Sequence, residues 1–127
     1  MRWMLKSLLL SLVFAMSPVF SAEVPFEAAN FQKLLASGQP VAVDFHADWC
    51  PTCRAQAPLL RSILEKPEFH ALTLLVANYD TEAALRKSLN VSQQSTLVVF
   101  RHGKEVARST GDTSEAGLTR LLRTAIE

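Results

Sequence analysis

After Ala22 the chain alternates between two apolar patterns, and together they predict a layered α/β domain. Val41-Ala42-Val43-Asp44-Phe45 is short, β-branched and almost continuously apolar, as a central strand buried on both faces reads. Residues 72–77 form a second apolar run of the same kind, ending at Asn78-Tyr79-Asp80. Residues 97–101 and 105–109 flank a turn at His102-Gly103 and predict an antiparallel hairpin, with His102 in solvent. Between these runs the apolar spacing lengthens to that of a helix. Phe31, Leu34 and Leu35 share one face over 26–35, which Gly38-Gln39-Pro40 closes. Ala57, Leu60 and Leu64 do the same over 52–65, where Pro58 removes one hydrogen bond and predicts a kink. A third helix over 81–89 turns Ala84, Leu85 and Leu89 inward and Arg86 and Lys87 outward, with Asp80 or Thr81 as its cap. The last, capped by Asp112 or Thr113, buries Leu118, Leu121, Leu122 and Ile126. With residues 23–25 as an extended lead-in, this order predicts a central mixed β-sheet flanked by helices on both faces.

The first 22 residues do not belong to that pattern. Met1 to Lys6 carries Arg2 and Lys6 and no acid, Ser7 to Met16 is an unbroken run of apolar and small residues, and Ser17-Pro18-Val19-Phe20-Ser21-Ala22 supplies a small-residue end. This is the layout of a secretory signal peptide over 1–22, leaving one domain over 23–127. The apolar run is shorter than the roughly 18–20 residues of a spanning helix, so cleavage is expected rather than anchoring. The expected location is therefore periplasmic or otherwise exported. Without the leader, eleven basic residues face twelve acidic ones. So even a balance leaves no basic field for nucleic acid or an anionic membrane. A monomer is expected.

The chemistry concentrates where the first strand runs into the second helix. Cys50 and Cys53 are separated by about one helical turn, which puts their Cα atoms inside the roughly 4.4–6.8 Å window of a disulfide. Placed in the first turn, Cys50 meets unpaired N–H groups and the positive end of the helix dipole, which favour a thiolate. Cys50 is thus the candidate nucleophile, and Cys53 the thiol that resolves a mixed disulfide formed there. A purely structural bridge is the weaker reading, because so small a loop constrains the unfolded chain little. Zinc would need two more ligands, and His46, His70 and His102 are scattered, so neither metal nor other cofactor is expected. Asp44 is the other anomaly, a carboxylate in a strand that reads as buried, where desolvation raises its pKa unless it reaches the strand edge to cap a loop.

Val43-Asp44-Phe45, Ala47-Asp48-Trp49-Cys50, Cys53 and Pro58 together resemble the active-site segment of thioredoxin, and the resemblance continues through nearly all of the chain after Ala22. It implies the thioredoxin-like fold and a thiol–disulfide oxidoreductase acting on client proteins that carry disulfides. It also implies that Asp44 accepts and returns the proton of Cys53. Substrate contacts are expected at Trp49, Pro51 and Thr52 beside the nucleophile and at Gln94, Ser95 and Thr96 in the loop opposite. The resemblance favours a reducing role sustained by a membrane electron donor. The alternatives are a net oxidant or isomerase, or a copper-type metal-binding module.

Three departures from the family matter. Its cis-proline before the threonine is Ser95 here, and a cis bond without proline costs about 2.5–4 kcal/mol, so a trans Gln94–Ser95 peptide is expected. The serine puts a hydroxyl near Cys50 that could steady a thiolate, prolong a mixed disulfide or admit a metal ion. Residues 72–77 contain no lysine to partner Asp44, and His46 replaces an aromatic residue, with a modest electrostatic effect on Cys50 expected. Gly111 stands where the family also has glycine, and is expected to let the backbone approach the active-site loop.

Overall fold

A computed structural model describes residues 22–127; the expected signal peptide lies outside the described residues but for Ala22. Strands β1 (Ala22–Pro25), β2 (Val41–His46), β3 (Thr73–Asn78), β4 (Thr96–Arg101) and β5 (Lys104–Thr110) form one sheet in the order β1-β3-β2-β4-β5. β1, β3 and β2 run parallel, while β4 and β5 are antiparallel to their neighbours. The sheet is mixed, as the pattern predicts. The lead-in at 23–25 is more than extended chain: it pairs with β3 from Ala22 to Pro25 and becomes the sheet edge. The other edge, β5, is mostly exposed and carries Lys104, Glu105 and Arg108, charges that discourage pairing with a foreign strand.

Strand alternation sends side chains into two cores. Ala42, Leu74, Leu97 and Val99 point to one face, where α2 (Pro51–Leu64) and α4 (Glu115–Arg123) cover them with Leu60, Ile63, Leu118 and Leu122. Val41, Val43, Phe45, Leu75 and Val98 point to the other, under α1 (Ala28–Ala36) and α3 (Ala83–Ser88), which contribute Phe31, Leu34 and Leu85. Helices on both faces of a five-stranded mixed sheet is the arrangement expected. α2 continues through Pro58.

The helix caps differ from those the sequence predicts. α4 is capped by Ser114, whose hydroxyl accepts from the Gly117 N–H at 3.1 Å, while Asp112 Oδ1 in turn accepts from the N–H and hydroxyl of Ser114. α3 starts at Ala83 after Glu82 with no side-chain cap, because Asn78 Oδ1 takes the N–H groups of Asp80 and Thr81 and spends them on a turn. Starting later, α3 is under two turns long, and Ala84 is exposed rather than inward.

Candidate active site

β2 ends at His46, a bend carries the chain through Asp48 and Trp49, and α2 begins at Pro51. Cys50 is therefore the N-cap residue, one position before the first turn, with extended backbone angles. Its sulfur accepts the Cys53 N–H at 3.2 Å, taking one of the donors that a helix start leaves unpaired. Pro51 fits the next position because its missing N–H has no partner to lose there. Cys53 lies one turn inward, 1% exposed, and Cys50 is 3% exposed. Both are free thiols, packed with Ala47 and against Tyr79.

Loop 92–95 closes over the sulfurs. Ser95 Oγ sits 2.9 Å from Cys53 Sγ and 3.4 Å from Cys50 Sγ. The Gln94–Ser95 peptide is trans, and Ser95 adopts a φ of 61°, a left-handed conformation costing about 1–3 kcal/mol for a residue other than glycine. It is held there by its own N–H, which donates to Phe45 O at 2.9 Å, and by its carbonyl, which accepts from Gly111 N at 3.0 Å. Gly111 serves through its positive φ of 77°, since an added Cβ would meet nothing within 4 Å. From the far side the Tyr79 hydroxyl donates to Ser92 O, and the guanidinium of Arg86 lies 4.4 Å above the Tyr79 ring.

The two thiols are driven apart in acidity. Burial is the largest single influence on Cys50 and by itself pushes its thiol up. Hydrogen bonds from the Cys53 and Ser95 side chains and from the N–H groups of Cys53 and Thr52 together outweigh it, leaving Cys50 below the ordinary thiol value. Cys53 moves the other way, chiefly through burial, then through its hydrogen bond to Cys50 and the negative charge there. One sulfur is thus disposed to ionise first.

Asp44 shares a sheet face with Ala42 and looks toward α2. It lines a cleft of about 110 Å³ with Glu23, His46, Ala57, Leu60 and Arg61, beginning one helical turn beyond Cys53. The cleft has room for about three waters at ~30 Å³ each. Asp44 is 4% exposed, Oδ1 has no hydrogen-bond partner, and its pKa is raised from 3.8 to about 6, mainly by burial; His46 opposes the rise and Glu23 adds to it. The loop-capping alternative is not what the structure holds. His46 acts electrostatically on Asp44, while its Nε2 meets Asp48 Oδ1 at 2.9 Å.

The candidate substrate residues separate into groups. Thr52, Gln94 and Ser95 line one surface groove with Cys50, Gln93, Thr110 and Gly111. Trp49 lies outside that groove, 56% exposed, with Nε1 donating to Asp80 Oδ2 at 2.7 Å. Pro51 is exposed at the helix start. Thr96 is 3% exposed and its hydroxyl is spent on Gln93 O and Thr110 Oγ1, so it builds the loop. One residue escaped the sequence reading. Gln56, on the buried face of α2, donates through Nε2 to Asp112 O at 2.8 Å and Ser95 O at 3.4 Å. Its signal was available: a polar side chain in register with Cys53, Leu60 and Ile63.

The sequence model of the Thioredoxin family matches residues 22–124. Thioredoxin from Chlamydia caviae is 35% identical over 95 residues, covering 75% of this chain and 90% of that relative. A bifunctional thioredoxin reductase/thioredoxin from Mycobacterium leprae is 33% identical over 111 residues, 85% of this chain but only 24% of that larger protein. Among solved structures, Trxlp from Edwardsiella tarda EIB202 superposes with a TM-score of 0.78 at 42% identity, covering 80% of this chain and 98% of the other. A helix-capping cysteine with a lowered pKa, a buried second thiol one turn deeper and these matches together mean that the chain belongs to the thioredoxin family and is a thiol–disulfide oxidoreductase.

Proposed function

We propose that the protein is an exported reductase that opens disulfides in extracytoplasmic client proteins, with Cys50 as nucleophile and Cys53 as resolving thiol. The observation that carries the roles of the two thiols is their placement: Cys50 caps α2 beside a groove and accepts the Cys53 N–H, while Cys53 lies buried one turn deeper. A lowered Cys50 pKa and a raised Cys53 pKa agree with it. Cys50 thiolate bonds to one sulfur of the client disulfide as that S–S bond breaks, and the departing thiolate takes a proton from solvent. Cys53 then loses its proton, bonds to Cys50 Sγ and expels the second client sulfur. Two electrons have passed from the cysteine pair to the client.

Asp44 is the base for the second half. A carboxyl whose pKa is about 6 changes protonation readily near neutrality, and its cleft, large enough to admit water, begins one helical turn from Cys53. Gln94, whose side chain borders the groove, lies on the segment along which an extended client strand is held. Trp49, next to the nucleophile in sequence, offers that strand an exposed, flat apolar surface. Export is supported by the basic, apolar and small-residue succession over residues 1–22, and a membrane donor would re-reduce the bridge of a monomeric protein. Insulin reduction by the purified protein, with the redox equilibrium measured against glutathione, tests the assignment. A potential well above about −200 mV would make the protein a net oxidant instead.

A further inference from the structure

Ser95 brings one hydroxyl within hydrogen-bonding reach of both sulfurs, 2.9 Å from Cys53 and 3.4 Å from Cys50. A hydroxyl donates one proton and accepts through its lone pairs. With Cys50 ionised, the Ser95 O–H donates to its thiolate, while the single Cys53 S–H has two acceptors in reach, the Cys50 thiolate and Ser95 Oγ at 2.9 Å. When Cys50 enters a mixed disulfide its charge is gone. The hydroxyl is then free to turn about its Cβ–Oγ bond and donate to Cys53 as that sulfur becomes the anion. No backbone movement is needed.

The backbone around that hydroxyl is anchored with unusual thoroughness. Phe45 O receives the Ser95 N–H, while Gly111 N and Gln56 Nε2 both reach the Ser95 carbonyl. Gln56 also ties Asp112 O to α2, so one amide joins the nucleophile's helix to the loop on each side of β4 and β5. It does so at a cost, because Gln56 is 1% exposed and its Oε1 has no partner. Leucine at this position would bury without that cost and would hold neither carbonyl. The amide earns its place through what it positions.

We propose that Ser95 is a further catalytic residue, a hydrogen-bond donor handed from Cys50 to Cys53 between the two halves of the exchange, and that Gln56 is the positioning residue that keeps it between the sulfurs. This rests on the reading of Cys50 as nucleophile and Cys53 as resolving thiol. Ser95 keeps its own proton throughout: the client sulfurs leave as thiolates protonated by solvent, and the Cys53 proton goes to the buried base.

Two readouts on Ser95→Gly, which retains the positive φ, and on Gln56→Met test the proposal. One is the pH midpoint for alkylation of Cys50; the other is the rate at which Cys53 resolves a preformed thionitrobenzoate adduct on Cys50. Ser95→Gly is expected to raise the midpoint by about one pH unit and to slow resolution about tenfold. Gln56→Met is expected to raise the midpoint by about half a pH unit and to slow resolution about threefold, with Ser95 still in place. Ser95→Ala gives the same readouts should the glycine variant not fold. A midpoint within about 0.3 pH unit of wild type and a resolution rate within about twofold of it in the Ser95 variants, while the unmodified protein reduces insulin, would overturn the proposal. A Gln56→Met protein that only melts earlier would remove the positioning role. Failure of the unmodified protein itself to form the adduct would instead overturn the underlying assignment of Cys50.

Discussion

Replacing Asp44 with asparagine should stabilise the protein at neutral pH while leaving it little changed in acid. The carboxyl is 4% exposed with one oxygen unpartnered, and burial lifts its pKa from 3.8 to about 6. An acid whose pKa is higher in the folded than in the unfolded chain holds its proton more tightly when folded. Below pH 3.8 both states are protonated and the full stability is present. As pH rises the unfolded chain releases its proton first, so stability falls until the folded carboxyl has also ionised above about pH 6. The loss reaches about 3 kcal/mol at pH 7, since each pKa unit is worth about 1.4 kcal/mol. Asparagine keeps the shape and does not titrate. In urea denaturation of the reduced proteins, the stability of Asp44→Asn minus that of wild type should grow by about 2 kcal/mol between pH 4 and pH 7. A difference constant to within about 0.5 kcal/mol would refute the raised pKa, because an altered fit alone does not depend on pH. The same variant should slow resolution by Cys53 at least about tenfold and leave attack by Cys50 nearly unchanged, if Asp44 is the base.

Two further substitutions probe the surroundings. Alanine at Gly117 would gain about 1 kcal/mol of helix propensity, yet its Cβ would fall 2.0 Å from Asp112 Oδ2 and 2.7 Å from Ser114 Oγ, displacing the cap of α4. A net loss of about 1 kcal/mol is expected in thermal denaturation, shrinking by at least half in an Asp112→Ala background. Trp49→Ala should lower kcat/KM for insulin reduction about three- to tenfold through lost contact area while moving stability by less than about 1 kcal/mol, because the indole is mostly exposed. An unaltered kcat/KM would take Trp49 out of the client surface.

The parts of this protein legible in its sequence are those whose pattern is local. Val41 to Phe45 has no polar residue except Asp44, so its central place needs no knowledge of its neighbours. The cysteine pair is read from spacing alone, and the hairpin from the turn at His102-Gly103, where both residues adopt positive φ. What escaped depends on partners distant in sequence. Residues 22–25 are too short to show alternation, and only β3 makes them a strand. Asp112, Thr113 and Ser114 are three cap-competent residues in succession, and the path of the chain selects the third. The register of Gln56 with Cys53, Leu60 and Ile63 marks it as inward-facing, but its partners, the carbonyls of Ser95 and Asp112, come from 39 and 56 residues away and only the fold supplies them. Ser95 was visible as a departure from the family, but its position between both sulfurs follows from the bonds to Phe45, Gly111 and Gln56.

The central claim is that Cys50 attacks and Cys53 resolves. Mixing each single-cysteine variant with a disulfide-bonded client at pH 7 and counting covalent adducts by mass tests this directly. Cys53→Ala should accumulate a stable one-to-one mixed disulfide through Cys50, and Cys50→Ala should react at least about tenfold more slowly. Equal trapping by both variants, or none by either, would contradict it.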